Sequence, residues 1–515
     1  MQKRIWLSLA AVAALAIAGE GAAQQSSTQL ARNALEKAAQ NMGVANLKSI
    51  TYSGNGWVGA VGQNFAPDQD WPHFDMTSYT RTIDFDTNSS REDMTLRQGN
   101  YIQRGGGGTP IVGEQKRVQL AANGYAWNMQ ANRVVPQPEL AERRQLEIYL
   151  TPFGFLKAAL ANNATAVTRQ EYGGRVTVVS FTAMGRYRVN GTINPQNEVQ
   201  RVQTWVPSPV AGDLYLENVY TNYKDIGGMK LPMHWHQHQD YDDGGLDPNV
   251  QGGDHAFDLE TLTNAQANVQ NAALTVPLEV ESTTIQPVKI ETTKLADGVW
   301  LIGGGTHNSL AVEFKDYATV IEGPLNEERS LAVIDEVHRL IPNKPIEYVV
   351  NTHHHWDHLG GIRTFVHEGA TVVTHEQNLP FYREMLTPAR RWTLNPDRFY
   401  LNPPEEWSEG NIFESVHEKY ILGDETRTIE IHHVPGLAHA AGMLIAYLPK
   451  EKIVVEADLY TPPTAGQPAP AVNASNRTFQ RTLRNLKLNV DTIVPIHGRP
   501  GSLAEFEQFM NRPQQ

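Results

Sequence analysis

The segment that most restricts this chain is Asn351-Thr352-His353-His354-His355-Trp356-Asp357-His358-Leu359-Gly360-Gly361, which directly follows the apolar run Ile346–Val350. A short apolar run bounded by polar residues predicts a buried strand, and Gly360-Gly361 lets a helix begin in close contact with its neighbours. Four strong metal donors, His353, His355, Asp357 and His358, are thereby placed in one strand-to-helix turn. They do not readily converge on a single tetrahedral ion. His353 and His355 can instead serve one ion while Asp357 and His358 serve a neighbour, so the spacing predicts two metals.

Composition narrows the chemistry further. The chain has 515 residues and 0 Cys, so disulfides, catalytic thiols and Cys-ligated clusters are excluded, and His, Asp and Glu are the strong metal ligands left. Its net charge of −13, with no extended Lys/Arg cluster, argues against nucleic acid as a partner.

Further donors occur downstream in order. Val434-Pro435-Gly436-Leu437-Ala438-His439 precedes a strand expected at 443–448, the expected strand 452–456 runs into Ala457-Asp458, and 492–496 leads into His497-Gly498. On these residues and the His-x-His-x-Asp-His segment, the chain from about 288 to 515 resembles the metallo-β-lactamase superfamily of metal-dependent hydrolases. The resemblance implies a four-layer αββα sandwich of the α+β class. It further implies a first metal on His353, His355 and His439, a second on Asp357, His358 and His497, and Asp458 bridging both.

Two Zn2+ are expected there, with iron or manganese as alternatives, since neutral imidazoles and carboxylates suit zinc and paired cations generate hydroxide near neutral pH. The implied reaction is hydrolysis of an ester, thioester, lactone or amide of a small molecule by a metal-bridging hydroxide. Asp357 would orient that nucleophile, and Tyr460 would hydrogen-bond the developing oxyanion. β-Lactam-cleaving members usually carry Cys or Ser where Asp458 stands, so the chain looks more similar to glyoxalase-II-like thioesterases and lactonases. β-Lactamase activity, an iron-dependent persulfide dioxygenase and a noncatalytic metal-binding protein are the alternatives. His354 is expected to point away from the metals, and His307 lies in a loop that in family members can overhang the site.

Residues 1–23 read as an export signal: Lys3 and Arg4, an apolar stretch from Ile5 to Ala18, then Gly21-Ala22-Ala23. The stretch is shorter than the roughly 20 residues a membrane span needs, and no later segment is apolar enough. The expectation is a periplasmic or secreted protein with no span in its mature form; its oligomeric state is left open.

Residues 24–263 carry short alternating runs punctuated by turn signals, which predict a mainly antiparallel β domain of unknown purpose, with 264–287 as a linker. Asn190-Gly191 predicts a hairpin turn. Arg104-Gly105-Gly106-Gly107-Gly108 lacks the lysine of a phosphate loop and reads as a flexible surface loop. In His234-Trp235-His236-Gln237-His238 the three imidazoles would share one face of a strand; a polar face is the default reading and a metal site the sharper one.

Overall fold

The computed structural model describes residues 26–171, 173–240, 254–387, 390–404, 412–464, 466 and 469–512. The expected export signal lies outside them. Among the described residues, no helix is long and apolar enough to cross a membrane.

Period-two burial builds the amino-terminal half. In Val199–Ser208 every second residue from Val202 to Ser208 is buried, so one face of the strand packs and the other meets solvent. Strands of this kind form one 13-stranded antiparallel sheet. Asp254–Ala267 is inserted between Ser49–Gly59 and Met229–Asp240, so the last strand in sequence lies in the middle of the sheet. A helix at 26–41 and the helices Ala141–Tyr149 and Pro152–Ala161 cover one face, burying Leu35, Met42, Leu146 and Phe155 against Ile50, Val189 and Leu216.

The turn expected at Asn190-Gly191 does not form. Both residues lie inside the strand Tyr187–Ile193, paired with Val202 and Gln203 on one side and Val179 and Ser180 on the other. Packing explains the glycine: a Cβ at Gly191 would lie 2.0 Å from Cζ of Phe155. The residue makes room for an aromatic ring rather than supplying a turn.

Two further sheets make the carboxyl-terminal half. The first has seven strands, from Glu291–Ala296 through Val299–Gly303, Ser309–Glu313, Ala318–Ile321, Ile346–Val350 and Thr371–His375 to Phe413–Val416. A second, six-stranded sheet runs from Lys419–Gly423 through Thr428–His433, Leu444–Leu448, Ile453–Glu456 and Thr492–Pro495 to Gly501–Ser502. Their facing sides bury Leu310, Val312, Ile321, Val350, Ile429, Ile431, Val455 and Val494. On the outer side of the first sheet pack Glu327–Leu340, Ile362–His367 and Leu379–Leu386, through Val333, Val337, Phe365 and Tyr382. Against the second pack Ala474–Asn485 and Leu503–Met510, through Phe479, Phe506 and Phe509. The result is the expected αββα sandwich.

Candidate metal centre

Every donor of the centre lies close to a strand end, Asp357 and His358 in the short helix Trp356–Leu359 and the others in loops, where side chains can converge without breaking a ladder. His353, His355, Asp357 and His358 follow Ile346–Val350, Asp458 follows Ile453–Glu456, His497 follows Thr492–Pro495, and His439 precedes Leu444–Leu448. Ligand atoms of His353, His355, His439 and Asp458 lie within 4.8 Å of one another, as do those of His307, Asp357, His358 and His497. Asp458 joins the two groups. Its Oδ2 is 3.3 Å from His353 Nε2, 3.1 Å from His439 Nε2 and 3.0 Å from His358 Nε2, and its Oδ1 is 3.3 Å from His497 Nε2. Donors on a zinc tetrahedron with bonds of about 2.0–2.1 Å lie about 3.3 Å apart, so these spacings suit shared cations.

The hydrogen bonds around the imidazoles fix which nitrogen faces inward. Thr352 Oγ1 donates to Glu322 Oε2 at 2.6 Å and therefore accepts from His353 Nδ1 at 3.0 Å, leaving His353 Nε2 with its lone pair. His358 Nδ1 donates to the same Glu322 Oε2 at 3.3 Å, which turns its Nε2 toward Asp458. His355 uses the opposite nitrogen: Nε2 donates to the carbonyl oxygen of Asn64 at 2.9 Å, so Nδ1 faces the donors. Among the described residues, His353 Nε2, His439 Nε2 and His355 Nδ1 are buried with no hydrogen-bond partner. Buried imidazole nitrogens without partners are costly unless an ion takes the lone pairs, so this donor set fits zinc. Burial also holds His353 and His355 well below the ordinary histidine pKa, which keeps them neutral.

Asp357 receives two hydrogen bonds. Gln63 Nε2 donates to Oδ1 at 2.8 Å and His307 Nε2 lies 3.2 Å from Oδ2. Burial alone would raise this carboxyl, but the His307 hydrogen bond and the nearby His358 charge outweigh it and hold the group below the ordinary aspartate range.

All seven expected metal ligands are brought together. Tyr460 does not join them. It is 2% exposed, with its ring 4.6 Å from Phe506 and 5.3 Å from Phe509, and its buried hydroxyl has no hydrogen-bond partner among the described residues. The residue is part of the core beneath the second sheet. His354, as expected, turns aside: its Nε2 lies 2.9 Å from the Asn64 carbonyl oxygen.

Three contributors escape sequence reasoning as ligand-group or supporting residues. His307 belongs to the second ligand group, and its loop is anchored by Asn308, whose Nδ2 donates to Pro495 O and Gly498 O, and by the buried Arg329 guanidinium on Gly303 O and His307 O. Glu322 is fully buried at φ 77° and accepts from Asn351, Thr352 and His358. The third is the amino-terminal half itself.

The glycine run expected to be a flexible surface loop is packed into the site. Gly105 and Gly106 are buried; Gly105 N donates to Ala438 O at 2.9 Å, beside His439, and Gly106 N to Gln63 O at 2.8 Å. A Cβ at Gly106 would lie 2.8 Å from His355 Cε1 and 3.0 Å from its Nδ1. Only a residue without a side chain lets the backbone come this close.

Residues 302–497 match the sequence model of the Metallo-beta-lactamase superfamily. This stretch is a metallo-beta-lactamase superfamily domain. A linear primary-alkylsulfatase from Pseudomonas sp is 33% identical to the chain over 76 residues, which is 15% of this chain and 11% of that protein's length. Among solved structures, a metallo-beta-lactamase from Pontibacter korlensis is 21% identical with a TM-score of 0.33, over 44% of this chain and 100% of that one. One from Hirschia baltica is 17% identical with a TM-score of 0.32, over 44% and 99%. The superfamily domain accounts for the αββα half of the chain, while the 13-stranded sheet lies outside the matched residues.

Proposed function

We propose that this protein is an exported hydrolase that uses two zinc ions to cleave an ester, thioester, lactone or amide bond of a small molecule. The observation that carries this reading is the shared position of Asp458, whose Oδ2 lies 3.0–3.3 Å from imidazole nitrogens of both ligand groups. With zinc bound, the paired sites supply Lewis acidity and bring the pKa of water into the neutral range. His353, His355 and His439 would hold the first ion and Asp357, His358 and His497, with His307 beside them, the second, while Asp458 stands within reach of both groups.

Asp357 has a further task. With Gln63 fixing Oδ1 and His307 near Oδ2, its carboxylate is held in one orientation, from which it would position the attacking water. The segments of the amino-terminal half that carry Gln63, Asn64 and Gly106 lie against one side of the centre. Lys3, Arg4 and the apolar stretch behind them support export, with the periplasm as the destination.

Metal analysis and a substrate panel test the reading in two steps. Two zinc ions per purified chain are expected; one tightly held iron ion would replace the hydrolase by an oxidative enzyme. The panel comprises lactones, thioesters, β-lactams, phosphoesters and sulfate esters, the last because of the alkylsulfatase similarity. Absence of metal-dependent turnover on every member, at full occupancy, would leave a noncatalytic metal-binding protein.

A further inference from the structure

The outer face of the amino-terminal sheet carries a second collection of metal donors, apart from those of the superfamily domain. In Met229–Asp240 the odd-numbered Trp235 is buried in the core, so His234, His236 and His238 project from the opposite face. The neighbouring strand presents Asp258 opposite His236 and His255 opposite His238. On the other flank, Glu217 stands opposite His238 and Thr221 opposite His234.

These groups are close. His234 Nε2 lies 3.0 Å from Asp258 Oδ1, and a ligand atom from each of His234, His236 and Asp258 falls within 4.8 Å of the other two. Ring centroids of His236 are 5.4 Å from His234 and 4.7 Å from His238, and those of His238 and His255 are 4.5 Å apart. Thr221 Oγ1 is 3.2 Å from His234 Nδ1, an arrangement that leaves His234 Nε2 directed at Asp258. A row of imidazoles this dense is poorly suited to a merely polar surface, because protonating any one repels the rest. The His234–Asp258 spacing already approximates the about 3.3 Å edge of a tetrahedral site, and a small side-chain rotation would bring His236 to the same ion.

We propose that His234, His236 and Asp258 form a third metal site, for a late first-row divalent cation such as Zn2+ or Cu2+, which ties Met229–Asp240 to Asp254–Ala267. Two imidazole nitrogens and one carboxylate oxygen suit these ions, and copper binds such donors more tightly than zinc. The ion leaves one position for water or a further donor, and its binding stabilises the folded sheet by mass action.

Full-length protein is saturated with zinc, dialysed and assayed for metal per chain, alongside the double variant His236→Gln, Asp258→Asn and the separate variant Asp458→Asn. The double variant is expected to hold one zinc fewer than wild type; equal contents overturn the proposal. Asp458→Asn disturbs only the centre of the superfamily domain, so a zinc that survives there and is lost on adding the other two substitutions supports the proposal, and its absence overturns it. Failure of the dinuclear reading is therefore distinguishable from failure of this one. Should the double variant not fold, the single variant His236→Gln is assayed in the same way: one zinc fewer than wild type is expected, and equal contents mean that a His–Asp hydrogen bond alone accounts for the contact.

Discussion

Gln63 Nε2 donates to Asp357 Oδ1 at 2.8 Å, although 294 residues separate them in sequence. The same glutamine accepts from Gly107 N at 2.9 Å through its Oε1, so its amide is oriented at both ends. A residue of the amino-terminal half thus sets the position of a candidate metal ligand of the superfamily domain. Replacing it with leucine removes both hydrogen bonds. Zinc affinity of the second site is expected to fall by roughly 10–100-fold, the usual effect of losing a partner of a metal ligand. Competition with a chromophoric chelator measures this, and unchanged affinity would show that Asp357 needs no help from Gln63.

The glycine run offers a paired test. Gly106→Ala places a methyl group against the His355 ring and the Gln63 side chain, whereas a Cβ at Gly108 meets nothing within 4 Å. Gly108 has φ +86°, so its replacement by alanine costs about 1–2 kcal/mol of backbone strain. Both variants are expected to lose stability in urea, but only Gly106→Ala should also lose zinc.

Glu322 holds three groups from a strained backbone. Glu322→Gln keeps the shape but supplies one acceptor oxygen, which can replace Oε2 for Thr352 and His358 and leaves Asn351 Nδ2 facing an amide nitrogen. Because the substitution removes a buried charge-assisted hydrogen bond, the expected destabilisation is about 2–4 kcal/mol. Denaturant midpoints of the zinc-loaded and zinc-stripped protein should both drop; a drop confined to the zinc-loaded form would mean that Glu322 acts through the metal alone.

Asp357 and Tyr460 should part company. Asp357→Ala is expected to abolish turnover on whichever panel member proves to be a substrate. Tyr460→Phe removes a buried hydroxyl that has no hydrogen-bond partner among the described residues, so turnover should be near native and stability unchanged or up to about 1 kcal/mol higher. Comparable losses of kcat in both variants would return Tyr460 to the reaction.

Metal removal is the bluntest probe. Stripping zinc leaves His353 Nε2 and His355 Nδ1 buried with no hydrogen-bond partner among the described residues. At a thousandfold excess over Kd each ion contributes about 4 kcal/mol. A scan with chelator should show a large fall in Tm, reversed on adding zinc.

The ligand set was legible because its members fall in short clusters or beside strand ends: His353 to His358 occupy one turn, and Asp458 and His497 each follow an apolar strand. The αββα strands were legible for the same local reason. What escaped was carried by tertiary approach. Nothing near Gly191 announces Phe155, and nothing near Asn64 announces that its carbonyl will accept from two imidazoles more than 280 residues away. Glu322 reads as an ordinary acid after a strand until the fold surrounds it. His307 had a signal, a histidine in a glycine-rich loop between two strands, but its convergence on Asp357 requires the second sheet to bring His497 alongside.

The central place of Asp254–Ala267 in its sheet also has a bearing on chronology. A chain that emerges from its amino terminus cannot pair Ser49–Gly59 with its inner neighbour until residue 267 is out, and closing so long a loop is slow. Yet every residue this needs precedes His353 in the chain. The surface bearing Asn64, Gln63 and Gly106 can therefore be finished before the ligands it will orient emerge, and the later half can fold onto it as a template. A catalytic half produced alone from residue 288 onward would be born without that template, with His355 lacking the carbonyl that selects its nitrogen.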